Sequence, residues 1–186
     1  IDGAQELFKS GYFSTVEPKI DRKADNTVSI MYEVQENPAV QSINIQGNTL
    51  FTNAQLEEAL GIKKGEILNG NLLNPDSNGI IGLYSKNGYS TARIESITVG
   101  ETGDVNIGLS EGIVKDISFE KSTPKNDNDR QSSKRTKLRT KDYVLERYLE
   151  VKPGQVLNNS DLESSIRELY RTGIFTRVTP ELYGSE

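Results

Sequence analysis

The chain of 186 residues has no cysteine, no histidine and no tryptophan, and a single methionine. Without cysteine there is no thiol nucleophile, no disulfide and no thiolate ligand. Without histidine the usual acid–base group of neutral pH is missing, and zinc-type N/S ligation goes with it. The missing cysteine fits any compartment and decides nothing about redox environment. No apolar run approaches the ~20 residues that span a bilayer as a helix. Basic charge is also in short supply: 22 Lys and Arg stand against 27 Asp and Glu, a net charge of −5. A general nucleic-acid binder needs a basic face to neutralise phosphates, so no nucleic-acid partner is expected. The chain opens at Ile1 with no leader-like segment, which reads as a window on a longer polypeptide.

What is present is repetition. LFKSGYFSTV (7–16) returns as LYRTGIFTRV (169–178), and LYSKNGYSTARI (83–94) is the same phrase with one residue added before its glycine. LGIKKGEILN (60–69) matches LEVKPGQVLN (149–158), and VQSINI (40–45) matches VKDISF (114–119). The repeated glycines fall at 11, 88 and 173, which implies units of roughly 75 residues plus one insertion.

The middle unit can be read throughout. Ile43 and Ile45 alternate on one face of a strand at 40–46. Thr52 and Gln55 form a capping box, Phe51 and Leu56 occupy staple positions, and Gly61 closes the helix. Lys63-Lys64-Gly65 is a turn, and its counterpart Lys152-Pro153-Gly154 is built for a type II turn. A second helix is expected from Pro75 to Asn87 with Asn74 as cap. In the last unit, Ser160 and Glu163 read as its capping box, with Leu162, Ile166 and Leu169 as the apolar stripe.

The repeated phrase ends that second helix. Gly11, Gly88 and Gly173 stop it, because glycine alone enters the left-handed cap conformation without steric cost. A strand follows, then a hairpin partner: Val28, Ile30, Tyr32 and Val34 in the first unit, and Val105, Ile107 and Leu109 in the middle one. The unit is β-α-α-β-β. The helix pair returns the chain so that the second and third strands form a hairpin with the first beside the third. The second strand is left on an open edge.

This order resembles the POTRA domain, and the tandem resembles the periplasmic arm of BamA-like outer-membrane β-barrel assembly proteins. The residues carrying the likeness are Gly47-Asn48, the KxGxxLN turns at Lys63–Asn69 and Lys152–Asn158, the phrase LYSKNGY (83–89) and the linker ENP (36–38). The resemblance implies an α+β fold of tandem units, each a three-stranded mixed sheet covered on one face by two helices. The expected divisions are a partial unit at 1–38 (second helix and hairpin), a complete unit at 39–112, and a unit at 113–186. That last unit carries a basic polar insertion at 120–139 and lacks its last strand. The short linkers at Glu36–Val40 and Ser110–Val114 favour limited hinging over free tumbling. The resemblance further implies a periplasmic site beside the outer membrane, a C-terminal membrane barrel in the same chain, and two partner classes: unfolded outer-membrane protein precursors and accessory assembly subunits.

No catalytic, cofactor or metal site is expected. There is no Gly-x-Ser-x-Gly nucleophile motif. Asp76-Ser77-Asn78-Gly79 has part of a calcium loop but lacks its other ligands and closing glutamate, and reads as the first turn of a helix. Gly61 to Gly65 lacks phosphate-loop spacing.

An open edge does offer an activity, since unpaired N–H and C=O groups bind a foreign strand whatever its side chains. Pro18 and Pro180 each lie seven residues past a repeated glycine, where a proline removes a donor from an edge. The matching residue in the middle unit is Glu95. The strand at 89–99 also changes phase, Ala92 and Ile94 alternating in one register and Ile97 and Val99 in the next, so a bulge near Glu95-Ser96 is expected. The expected partner-binding strand is therefore Tyr89, Ser90, Thr91, Ala92, Arg93, Ile94, Glu95, Ser96, Ile97, Thr98 and Val99. The competing account is that the prolines guard against aggregation and no edge binds anything specific. The insertion KSTPKNDNDRQSSKRTKLRTK (121–141) brings a basic set, Lys134, Arg135, Lys137, Arg139 and Lys141. It reads as a solvated loop, or as a contact for anionic headgroups, an acidic partner or the barrel mouth. Two other classes fit the fold: the arm of a two-partner secretion transporter, and a cell-division scaffold of the FtsQ kind.

Overall fold

The computed structural model describes residues 2–23, 27–75, 79–121 and 138–183. The chain begins with helix α1 (Asp2–Lys9) and the antiparallel strands β1 (Phe13–Arg22) and β2 (Val28–Glu36), which form a two-stranded sheet. Between helix and sheet, Gly11 takes a positive φ of 83°, as do Gly88 (85°) and Gly173 (70°), so the three repeated glycines share one conformation. Gly11 also lies against its surroundings. Its carbonyl accepts hydrogen bonds from the Gly70 N–H at 2.7 Å and the Asn37 side chain at 2.8 Å. Pro18 sits inside β1, opposite Tyr32.

The complete unit follows. Strand β3 (Ser42–Gln46) leads to helix α2 (Asn53–Leu60), whose capping box at Thr52 and Gln55 is formed in both directions and whose end is Gly61 at φ 75°. Phe51 meets Tyr84 edge-on, with ring centroids 4.9 Å apart. Helix α3 (Gly79–Lys86) returns the chain to strands β4 (Arg93–Val99) and β5 (Asp104–Ser110). Sheet order is β3-β5-β4, with β3 parallel and β4 antiparallel to β5. The core is the inner side of that sheet and both helices: Ile43, Ile45, Val105, Ile107 and Leu109 against Leu56, Leu60, Ile80 and Tyr84. The outer side is small and polar, with Asn44 donating to Asn106 at 3.0 Å and Ser42 bonded to Asp104.

The KxGxxLN phrase has a physical purpose. Gly65 N–H donates to the Val40 carbonyl at 2.7 Å, Val40 N–H to Glu66 at 2.9 Å, and Leu68 N–H to Pro38 at 3.1 Å. The turn thus pairs with the residues that lead into β3, closing with the bridge Ala39–Ile67. In the last unit Gly154, Val114 and Leu157 repeat these bonds with Val114, Gln155 and Gly112, and the bridge is Ile113–Val156.

Several expectations are corrected. Asn74 closes a 3-10 turn at Gly70–Leu73 and the described part of the second helix starts at Gly79; the first turn expected after Asn74, with Asp76, Ser77 and Asn78, lies outside the described residues. The cap of α5 (Asn159–Arg171) is Asn158, whose side chain accepts from Ser160 N–H, so Ser160 is a first-turn residue and no box with Glu163 forms. An Asx side chain two residues upstream competes for the same amides and wins. Residues 114–119 and the described residues after Gly173 (174–183) form no strands, although a strand was expected in each. Among the described residues β3 and β4 each pair only with β5. Nothing in the described part of the last unit supplies that middle strand, so its flanking segments have no ladder to join. Pro180 therefore guards no strand. What orders this unit is α5, the short helix α4 (Asp142–Leu145), and buried Leu145, Leu157 and Leu169. Buried Ser165 ties α5 to the preceding loop, accepting from Glu150 N–H at 2.9 Å and donating to the Asp161 carbonyl at 2.7 Å.

By contacts the chain divides into two compact bodies, Ile1–Asn87 with Thr91–Glu111, and Gly88–Ser90 with Gly112–Glu186.

Candidate functional site

Strand β4 is the edge strand reached from α3, and its register with β5 explains the change of phase. Ile94 pairs with Leu109, Ile97 with Ile107 and Val99 with Val105, while the register shifts between Ile94 and Ser96. One extra residue, Glu95, is absorbed there. The bulge keeps three apolar residues spaced by three and two on the same inner face as the regularly spaced 105, 107 and 109. Those β5 residues are buried; Ile94 and Ile97 are half-buried and Val99 is 39% exposed. Arg93, Glu95, Ser96 and Thr98 face solvent, and Arg93 lies 3.6 Å from Glu95.

The opposite edge is β3, which the sequence reading passed over. It offers five residues against seven for β4, and the 65–68 turn already covers the residues that lead into it. Among the described residues nothing else pairs with the two-stranded sheet of β1 and β2, and Pro18 interrupts the donors of β1.

One polar cluster holds this unit together. Glu111, directly after β5, is only 3% exposed. Its carboxylate accepts from Tyr84 Oη at 2.5 Å, Thr49 N–H at 2.8 Å, Thr49 Oγ1 at 2.5 Å and Leu50 N–H at 3.0 Å. Burial by itself would raise its pKa, but the hydrogen bonds from Thr49, Tyr84 and the backbone at Leu50 and Thr49 outweigh it and hold the carboxyl below its ordinary range. Burial, then the bond to Glu111 and its charge, pushes the Tyr84 hydroxyl well above the ordinary phenol value. This gives Gly47-Asn48 its meaning. Gly47 (φ 88°) packs against the Leu109 carbonyl, which a Cβ would approach to 2.0 Å, and the Asn48 side chain bonds Phe51 O and Asn53. The loop so fixed aims two amides at Glu111.

Residues 38–112 and 135–185 match the POTRA family, described as "Surface antigen variable number repeat". The chain belongs to the POTRA family. Its POTRA sequence is 26% identical over 179 residues to the "Putative outer membrane protein assembly factor" of Treponema pallidum, covering 95% of this chain and 20% of that protein. It is 31% identical over 90 residues to "Outer membrane protein assembly factor BamA" of Nitratidesulfovibrio vulgaris, covering 48% of this chain and 11% of that one. The chain thus spans a fifth or less of these relatives. Among solved structures, the N-terminal domain of Omp85 from Thermosynechococcus elongatus superposes with a TM-score of 0.72 at 25% identity, covering 96% of this chain and 73% of that one. The likeness to BamA-type arms and the mixed α+β POTRA fold both hold.

Of the expected strand residues, POTRA strand β4 takes seven, Arg93 to Val99. Tyr89, Ser90, Thr91 and Ala92 precede it without strand pairing, a correction to the expected start at 89. Thr91 Oγ1 is turned onto the Glu111 carbonyl at 3.4 Å, and Ser90 Oγ donates to Asn159 Oδ1 at 2.8 Å, so their side-chain bonds compete with an extended ladder. Of the basic set, Lys134, Arg135 and Lys137 lie outside the described residues; Arg139 and Lys141 are exposed, Lys141 at the start of α4. Glu111 was missed, though its signal was present. Val105, Ile107, Leu109 and Glu111 continue one period-two phase, and a carboxylate at an inward position demands donors.

Proposed function

We propose that this chain is a non-catalytic periplasmic arm of three consecutive POTRA units, at 1–38, 39–112 and 113–186, that receives unfolded outer-membrane β-barrel precursors by strand addition to β4. Accessory assembly subunits dock on the same arm, and a membrane barrel belongs to the full chain. Arg139 and Lys141, both exposed, are its basic contacts, and the rest of the basic set, Lys134, Arg135 and Lys137, lies outside the described residues. The observation that carries this reading is the sheet order β3-β5-β4, which leaves seven residues of β4 paired on one side only. Main-chain groups on that side accept any extended chain, which suits a receptor for many different precursors. Family membership and the assembly-factor names of the relatives support the role.

Proline at Val99 tests it. Gly100 N–H donates to the Asp104 carbonyl at 2.9 Å, so in the alternating antiparallel ladder the next pair, Val99–Val105, is not hydrogen-bonded and the Val99 N–H points to the free side. The substitution removes that outward donor without breaking a bond to β5, at a residue 39% exposed. In the full-length protein, precursor crosslinking along 93–99 is expected to fall by roughly tenfold relative to Val99→Ala. Unchanged crosslinking in a folded Val99→Pro protein would refute strand addition at β4.

A further inference from the structure

We infer that the groove between the first hairpin and the KKGEILN turn is a docking site for a separate protein, entered by a short basic segment with an aromatic or aliphatic anchor. The inference is independent of strand addition at β4.

The groove lies within the body Ile1–Asn87 with Thr91–Glu111 and encloses about 430 Å³. Its apolar lining is Tyr12, Phe13, Ile62, Ile67 and Leu72; Tyr12, Ile67 and Leu72 are 46%, 40% and 37% exposed. The walls are tied together. The Asn37 side chain donates to the Gly11 carbonyl at 2.8 Å and the Leu68 carbonyl at 2.9 Å, and the Asn71 side chain to the Lys9 carbonyl at 2.8 Å. A partner therefore meets a preorganised surface.

The repeat separates what the fold needs from what it does not. Gly11-Tyr12-Phe13 returns as Gly88-Tyr89-Ser90, and KKGEILNGNL (63–72) as KPGQVLNNSD (152–161). Serine thus stands for Phe13, glutamine for Glu66 and aspartate for Leu72. The backbone bond survives the exchange: Asn159 N–H donates to the Gly88 carbonyl at 2.9 Å, as Gly70 N–H does to Gly11. The apolar lining at 13 and 72 is not required by this joint, and exposed anchors of that kind are what interfaces bury. Charge then selects the occupant. Glu36, Glu66 and Lys63, all exposed, complete the lining, and among the described residues none of the three has an ion-pair partner. Residues 1–111 carry 15 Asp and Glu against 8 Lys and Arg, whereas 112–186 carry 12 against 14. A cationic segment is drawn to this body and an anionic one repelled.

Three labelled peptides test it at low ionic strength: GSKLFKSG, the charge-reversed GSELFESG, and GSKAAKSG without anchors. Affinity is read by fluorescence anisotropy and location by amide shifts in the full chain. GSKLFKSG is expected to bind about tenfold more tightly than either control, with shifts at 12–13, 62–69 and 72. Leu72→Asp installs the residue that the last unit carries and is expected to cut that affinity about tenfold, with the fold kept. Glu66→Gln is expected to narrow the margin over GSELFESG by about twofold. Equal affinities for the three peptides, or shifts confined to other surfaces, would overturn the groove as a docking site and leave β4 untouched. Self-association of the parent that Leu72→Asp abolishes would give the groove to a second copy. Exchange protection at 62–69 that appears only in the longer, full-length protein, with no partner added, would give it to the rest of its own chain. Either result would overturn the separate partner.

Discussion

Glu111→Ala is expected to unfold the complete POTRA unit at markedly lower denaturant, a loss of about 3 kcal/mol or more. The carboxylate is the shared acceptor for Tyr84 Oη, Thr49 Oγ1 and the Thr49 and Leu50 amides. Removing it orphans donors from α3 and from the loop between β3 and α2 together, and each buried orphan costs roughly 1–3 kcal/mol unless water reaches it. Glu111→Gln keeps the volume but presents an amide NH₂ toward donors, so an intermediate loss is expected. The pH dependence has a definite sign. The folded pKa is depressed, so the contribution is fully present above the unfolded carboxylate value of about 4.3 and is lost as pH falls through the lower folded value. Urea midpoints measured from neutral to acidic pH should therefore fall in the parent and fall less in Glu111→Gln. Parallel curves would show that Glu111 carries no linked proton.

Helix α3 supplies a pair of substitutions with opposite signs. A Cβ at Gly79 would stand 1.7 Å from the Ala59 carbonyl oxygen and 2.7 Å from its carbon, whereas one at Gly82 meets nothing within 4 Å. Gly79→Ala therefore pushes α3 away from α2 at their closest approach, against backbone that cannot rotate aside. A loss of about 2 kcal/mol or more is expected, in the upper half of the usual range for overpacking or beyond it. Gly82→Ala adds helix propensity without a clash and is expected to stabilise by about 0.5–1 kcal/mol. Thermal melts of the two variants should move apart around the parent. A neutral Gly79→Ala would mean that the helices do not cross where Gly79 and Ala59 place them.

Local signals were legible where nothing downstream had to agree with them. Thr52 and Gln55 specify their box within four residues, and the repeated glycines specify left-handed caps wherever they stand. The bulge at Glu95 was legible because the apolar phase itself breaks between Ile94 and Ile97. Failures came where a signal needed a distant partner. VKDISF has the alternation of VQSINI, but only the latter has β5 to bond with. Ser160-x-x-Glu163 has the letters of a capping box, yet Asn158 reaches the first-turn amide before it. The inward phase of Glu111 was legible, but its partners were hidden for the same reason. Its donors lie on α3 and on the 49–50 loop, brought to it only when the sheet and helices are assembled. Tyr89 to Ala92 look extended in sequence, but Thr91 and Ser90 spend their hydroxyls on bonds outside any ladder.

The most direct measurement is hydrogen exchange, residue by residue, in the presence and absence of an unfolded outer-membrane precursor. Added precursor is predicted to slow exchange at the outward amides of Arg93–Val99, with β1, β2 and β3 unchanged. Exchange in β4 that stays as fast with precursor as without it, or protection that gathers on another edge instead, would contradict the account.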